Sequence, residues 1–468
     1  GNISYKNNGA LQKLIIGDYS LQFGQGLSMW TGLGFGKGAA IASVTKNNIG
    51  LKPYTSTNEL LFLRGAAAAI KWKKYFLFTP FISFRNIDAG IQNTDTLKMV
   101  SSVSQTGFHR TVNEIANKAT LHQSVYGLNV QYSQKGFRLG ATGYQTRFDM
   151  PIAPGKFQYN RYDFEGRNLM NIGMFYAYNW RNMYLFGEAA HSLNQGSAFV
   201  NGLMASVSSS VSVILLHRNY QRNYQSFFNQ ALAESSNAVN EKGFYTGITI
   251  SPNKKIEWSF YADLFRFPWL KFRVDAPSSG HEVLSQLLFS PSRKMKICLR
   301  YKLESKQENE GLETGLSFLE GVKKQNYRLE LSYKISDDFQ LRNRVELTQY
   351  KKANATESGN MVFQDLIYSP LKSAFTANLR FALFDTPGFN SRIYAFENDV
   401  LYSYSMPAYQ NKGMRFYVNG RYQVNKSTDI CFRYAITSYT DLNSIGSGLD
   451  KIEGNKKSDI KMQARFLF

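Results

Sequence analysis

Two cysteines, Cys298 and Cys431, are all that 468 residues carry, too few for a disulfide framework or a cysteine-held metal cluster. Proline is scarce at 11 residues, which with 15% aromatic content excludes a collagen or a disordered tail, since so many aromatic side chains cannot stay solvated along a chain this long. Acidic residues are also few. The 34 Asp and Glu stand against 55 Lys and Arg, a formal charge of +21 that favours anionic partners such as nucleic acid, lipopolysaccharide or acidic solutes without choosing among them. Long apolar runs are missing, because the nearest, LLFLRGAAAAI at 60–70, is interrupted by Arg64 and falls short of the roughly 20 residues a membrane helix needs. No secretory leader is read from the sequence, since Gly1 opens a polar segment, and the expectation is a processed chain or a piece whose upstream part is absent.

What the chain has instead is period-two alternation, apolar and aromatic on one side and largely basic on the other. Met295, Ile297, Leu299, Tyr301 and Leu303 alternate with Lys294, Lys296, Cys298, Arg300, Lys302 and Glu304. Tyr327, Leu329, Leu331 and Tyr333 alternate with Arg328, Glu330, Ser332 and Lys334, and Phe375, Ala377, Leu379 and Phe381 with Thr376, Asn378 and Arg380. Short polar turns such as YSQKGF, NWRNMY, SPNKK, KISDDF and QVNKST join two alternating segments, and a longer irregular connection leads to the next pair. Short turns at one rim and long loops at the other are the pattern of a transmembrane barrel. A large soluble β-protein also alternates where one sheet face is buried, but it has no such asymmetry of turns.

Taking the turns as anchors, the sequence predicts strands near 12–22, 57–72, 73–88, 121–135, 137–149, 168–180, 181–193, 196–208, 209–220 and 242–252. The series continues near 253–266, 281–292, 293–305, 325–336, 337–350, 359–371, 372–385, 411–424, 426–440 and 458–468. The fold class read from this is all-β: an antiparallel transmembrane outer-membrane β-barrel of about 20 strands (18–22), spanning 1–468 as one unit, with long extracellular loops and short periplasmic turns. Only a closed sheet satisfies every backbone group in lipid, which places the apolar face outward and the basic face toward a lumen. The last segment alternates to its end and finishes on Phe466 and Phe468, resembling the terminal signal read by the outer-membrane assembly machinery.

No catalytic constellation stands out, and no cofactor or metal site is read. His109, His122, His191, His217 and His281 are scattered without metal-ligand spacing. GLGFGKGA at 32–39 is one residue short of a phosphate loop and lies in no strand-to-helix context; it reads as flexible loop. Glu397 and Asp399 could be an acid and base pair, and an extracellular loop explains them equally well. Cys298 and Cys431 sit among basic neighbours on the lumen register, where a thiol pKa can fall; two unpaired small lumen residues is the plainer reading.

The informative set is the basic lumen register: Arg138, Lys294, Lys296, Arg300, Lys302, Arg328, Lys334, Arg342, Arg344, Arg380, Arg415, Arg421, Arg433, Lys461 and Arg465. Rings of such residues favour anions in a pore, whereas singly they pair with carboxylates such as Glu257, Asp263, Glu330 and Glu346. Three connections stand out. Segment 23–56 is Gly-rich, carries Trp30 and Phe35, and is long enough to fold back into the barrel. The connection 265–280 interleaves Phe265, Phe267, Trp269 and Phe272 with Arg266, Lys271 and Arg273, a composition that stacks bases or suits an aromatic girdle against lipopolysaccharide. The third, 386–410, is a long extracellular loop able to form its own hairpin, as a plug or a docking surface.

Through GDYSLQFGQGLSMWTGLGFGKGA (17–39), KPYTSTNELLFLRGAAA (52–68), LLHRNYQRNYQ (215–225), FRFPWLKFRVDAPS (265–278), RIYAFENDVLYSYSMPAY (392–409) and IGSGLDKIEGN (445–455), the chain resembles a Bacteroidetes outer-membrane family described as helix-hairpin-helix or ComEA-like proteins. The resemblance runs over essentially the whole length. It implies an outer-membrane barrel preceded by a periplasmic helix-hairpin-helix module, which lies outside this sequence, and a role in DNA uptake for which no residue here can be assigned. The expected function is a transport pore for anionic solute or polymer, and the alternative is a structural or assembly subunit of a larger cell-envelope complex; an outer-membrane enzyme is a distant third. The partners implied are outer-membrane lipid and lipopolysaccharide, the assembly machinery, DNA or another anionic polymer, and other envelope proteins.

Overall fold

The structure, a computed structural model, describes all residues except Leu33, Phe35, 57–60, 94–97, Gln105, Pro154, 312–317 and Phe468. Among the described residues, twenty strands are ten residues or longer, from Leu11–Gln22, Leu63–Trp72 and Phe76–Ile87 to Asn411–Asn425, Thr428–Tyr439 and Lys456–Phe466. With the shorter Asn2–Lys6, Gly50–Pro53, Ala89–Asn93 and Lys98–Val103 they form one 24-stranded sheet. Each of the twenty alternating windows of the sequence holds one long strand, with ends displaced by at most six residues among the described residues; positions 57–60 of the 57–72 window lie outside them. Successive long strands pair antiparallel from Leu63–Trp72 through Val211–Tyr220 and from Leu319–Lys334 through Lys456–Phe466. At 10–16 residues the strands are long enough to cross a hydrocarbon core when tilted.

Turn chemistry explains the tight connections. In YSQKGF, Lys135 and Gly136 have φ of 44° and 82°, the two positive values of a type I′ hairpin whose twist matches that of its strands.

The chain forms two compact units, the first comprising 1–248, 261–281 and 307–319 and the second 249–260, 282–306 and 320–468. In the second, one sheet face presents Leu329, Val345, Leu347, Val362, Phe381, Phe416, Phe432 and Met462 exposed, while Arg328, Glu346, Met361, Phe363, Arg380, Tyr417 and Arg433 alternate with them on the covered face. An apolar surface that continuous exceeds the patches that water-soluble monomers carry; its proper solvent is lipid.

In the first unit large apolar residues lie on both faces. Ile70, Ile82, Leu128, Met170, Ile172, Met174 and Leu215 are exposed, and a second set, with Ile15, Tyr19, Phe81, Val125, Tyr144 and Phe175 at its centre, is buried on the opposite side. Large buried rings there stand across from glycines. Phe175 faces Gly140 and Phe186 faces Gly202 in register, and a Cβ on either glycine would come within 2.1 or 2.2 Å of the ring.

Candidate functional site

The covered face of the second unit is built from cross-strand charge pairs whose partners are fixed by register. Arg328 lies opposite Glu346 and Arg344 opposite Glu330, and the guanidiniums donate to those carboxylates at 2.8 and 2.7 Å. Some carboxylates serve two arginines each. Asp365 stands between Arg342 and Arg380 in the ladder and accepts from both; Asp429 accepts from Arg421 and Arg465. Arg380 is fully buried, with its guanidinium 3.7 Å from the Phe363 ring centroid, which Arg344 also approaches at 4.9 Å. Arg300 donates to the neutral Gln286, and Lys302 pairs with Glu282 at 3.0 Å.

Onto this face folds the connection 387–410. Ile393–Tyr394 pairs with Ala408–Tyr409, a bridge joins Glu397 and Ser405, and the hairpin so formed is held by the strands beneath it. The Glu397 carboxylate, fully buried, accepts both arms of Arg415 at 2.7 and 2.8 Å, a bond from Arg433, and the Tyr409 hydroxyl at 2.8 Å. Asp399 accepts from the Lys461 ammonium at 2.7 Å. The backbone carbonyls of Phe396, Asn398 and Leu401 accept from Arg380, Arg433 and Gln463. Burial alone would raise the Glu397 pKa, but the Arg415 bond and charge, then Tyr409 and Arg433, hold it below the usual carboxylate range. The two acids weighed from sequence as an acid and base pair are therefore saturated by cations.

The remaining basic positions lie at the short-turn ends. Lys294, Lys296 and Lys334 are exposed. Arg138, in the first unit, lines an open pocket of about 560 Å³ with Asn47, Lys135, Asn179 and Tyr184. Phe466 is exposed and ends the final strand, and Phe468 lies outside the described residues. Cys431 is buried and Cys298 half-buried, both on the register of their basic neighbours. Glu257 is exposed.

The 265–280 connection divides its aromatics. Phe265 and Phe267 are buried, whereas Trp269 packs edge-on against Tyr162 at 5.0 Å with the Arg222 guanidinium over both rings, and exposed Phe272 meets Tyr159 at 6.0 Å.

Within the first unit the Gly-rich segment is packed inward around one carboxylate. Glu188 is buried and accepts the backbone N–H groups of Gln25, Leu27 and Ser28 at 2.6, 3.1 and 2.9 Å and the Ser28 hydroxyl at 2.6 Å. Gly24 and Gly26 have φ of 58° and 80°, and a Cβ on Gly24 would sit 2.5 Å from the same carboxylate; only glycine permits that turn. Tyr144 and Tyr224 donate to the carbonyls of Ser28 and Leu27. In the phosphate-loop look-alike, Leu33 and Phe35 lie outside the described residues. Lys37 beside them pairs with Glu234 and Asp263 at 2.5 and 2.9 Å.

Sequence reasoning missed the centre of that cluster, Arg218. Fully buried, it donates to Glu241 at 2.5 Å and to both oxygens of Asp263 at 2.7 and 3.0 Å. Its strand, VSVILLHRNY, is apolar on both registers, so alternation gives no phase by which to turn Arg218 inward.

The sequence matches no family model and no curated protein. Among solved structures, the copper transporter OprC is similar over 100% of this chain and 79% of its own, with a TM-score of 0.50 at 10% identity. The ferric-catecholate import receptor Fiu from E. coli K12 in its open form covers 85% of this chain and 71% of its own, with a TM-score of 0.42 at 8% identity. An anion-selective porin from Comamonas acidovorans covers 84% and 100%, with a TM-score of 0.32 at 10% identity. At such identities the likeness bears on fold, and the fold is that of an antiparallel, transmembrane outer-membrane β-barrel.

Proposed function

We propose that this protein is an outer-membrane transport pore whose basic covered face in the second unit conducts anionic solute. One observation carries the reading: on that face Asp365 and Asp429 are each shared by two arginines, so the wall keeps a surplus of cations that an anion can satisfy. DNA, the cargo implied by the helix-hairpin-helix resemblance, is the polymeric form of the same proposal. Its binding would weaken steeply with salt as phosphates release counter-ions. Lipopolysaccharide at the long-loop rim and the machinery that inserts the strand ending at Phe466 are the partners this reading implies.

The experiment is a reversal potential in planar bilayers under a KCl gradient. Preference for chloride over potassium supports the pore; cation preference, or no conductance at all, removes it. A second reading, a structural barrel inside a larger envelope complex, is favoured by the inward packing of residues 24–28 around Glu188. Co-purification of stoichiometric partners in mild detergent supports that one, and recovery of the barrel alone opposes it.

A further inference from the structure

Arg415, Arg433 and Lys461 lie on three successive strands of the second unit, Asn411–Asn425, Thr428–Tyr439 and Lys456–Phe466, with Arg433 and Lys461 directly opposite in register. The strands themselves offer these three cations one carboxylate, the half-exposed Asp459 on Arg433. The other two come from the hairpin, as Glu397 on Arg415 and Arg433 and Asp399 on Lys461. Remove the hairpin's two acids and the wall patch carries a net positive charge, lined also by Tyr417 and by Arg380, whose second arm now reaches the Phe396 carbonyl. Guanidiniums presented as planar forks on a rigid sheet suit phosphate or carboxylate oxygens.

We propose that Arg415, Arg433 and Lys461 form a binding site for multivalent anions, and that Glu397 and Asp399 of the chain's own hairpin occupy it as an internal surrogate which such an anion displaces. This rests on the anion-path reading and names its binding site and its occupant. The ligand class is a small molecule or polymer segment bearing neighbouring phosphate or carboxylate groups. A monovalent anion cannot replace both carboxylates at once, and it leaves the hairpin seated.

The test measures binding of inorganic tripolyphosphate to the folded barrel in detergent micelles by calorimetry. The Glu397→Gln, Asp399→Asn double variant is expected to bind at least 10-fold more tightly than the parent, because the surrogate no longer competes; unchanged or weaker binding overturns the proposal. Adding Arg433→Gln and Lys461→Gln to that variant removes the gain, and a gain that survives them overturns it too. A second measurement leaves the native acids in place. A spin label on Met406→Cys, with Cys298 and Cys431 replaced by Ser, becomes mobile on adding tripolyphosphate but not sodium chloride of equal ionic strength; a label that stays immobile counts against displacement. Failure of the pore is distinguishable. Tight tripolyphosphate binding without bilayer conductance keeps this site and removes transport, whereas anion-selective conductance with binding unchanged by the variants does the reverse.

Discussion

Substituting Glu188 by Gln separates a docked inner segment from one that merely lies nearby. The carboxylate accepts four bonds, two on each oxygen: Gln25 and Leu27 on one, and the Ser28 amide and hydroxyl on the other. An amide keeps one oxygen for two of the bonds and turns an NH₂ toward the Ser28 amide, so that bond is lost, while the Ser28 hydroxyl can turn to accept and every bond that remains loses its charge. Hydrogen bonds to a charged group contribute about 1.5–3 kcal/mol each and neutral ones about 0.5–1.5 kcal/mol, so losing one and weakening the rest costs on the order of 3–6 kcal/mol if the segment stays in place. It need not stay, because undocking lets the freed N–H groups reach water, so the observed cost is capped by the free energy of undocking. Taking about 3 kcal/mol as the realised loss, the docked state should open roughly 150-fold more often. Amide hydrogen exchange at Gln25, Leu27 and Ser28 in the reconstituted barrel reads this directly, and the strand amides of 183–192 serve as an internal reference. Exchange at the three amides within about threefold of the parent would refute the claim that Glu188 holds the segment.

Three further outcomes follow from the geometry. Lys46 is buried over the Trp30 ring, and burial lowers its pKa to about 8. The folded state therefore binds its proton less readily than the unfolded chain does, with full penalty below pH 8 and none above about 10.4. Lys46→Met should stabilise by about 2 kcal/mol at pH 7, once the lost cation–π contact is deducted, and by almost nothing at pH 11; a pH-independent gain in urea midpoint would contradict this. Gly202→Ala drives a Cβ to 2.2 Å from the Phe186 ring and should cost about 1–3 kcal/mol, recovered by adding Phe186→Leu; equal midpoints for all three proteins would exclude the clash. The hairpin should loosen in acid. Glu397 faces Arg415, Arg433 and Tyr409, with Asp399, Asp459 and Lys461 alongside, and its lowered pKa contributes docking strength that is present above about pH 4.3 and lost as pH falls through the folded value. Exchange of amides 396–405 that is no faster at pH 3 than at pH 6, after correction for intrinsic rates, would refute that sign.

Strand positions were legible because lipid on one face and a covered interior on the other force a period of two. Some charge pairs were legible too. In a hairpin turning at Asp337, Arg328 and Glu346 are each nine residues from the turn and Glu330 and Arg344 each seven, so register alone aligns them. What alternation cannot reveal is the content of the interior. Ile214 and Leu216 are buried while Leu215 between them is exposed, and nothing in the residue types says which is which. The loops are harder still: Glu188 meets residues about 160 positions away, and the two acids of the hairpin meet strands that follow in sequence, contacts set by how a connection falls across a sheet.

That dependence on connections has a physical consequence for the basic face. A wall residue has neighbours dictated by the ladder, so a carboxylate in the wall can neutralise only the cations beside it, as Asp365 and Asp429 do. Cations left over must find a counter-charge from across the interior. The hairpin is a ligand tethered at both ends, and tethering by short segments corresponds to an effective concentration on the order of millimolar. A solute therefore replaces it only if its own affinity for Arg415, Arg433 and Lys461 is well tighter than millimolar at the solute's working concentration. Single carboxylates or chloride rarely achieve that against a buried, multiply hydrogen-bonded acid, whereas two or three linked phosphates gain from the same chelate advantage as the hairpin. The valence of the anion, more than its size, is thus what should decide whether the hairpin of the second unit moves, and a series from phosphate through pyrophosphate to tripolyphosphate at constant ionic strength should show mobilisation of the Met406→Cys label rising steeply with each added phosphate. A flat series would mean that the surrogate and the solute do not share a site.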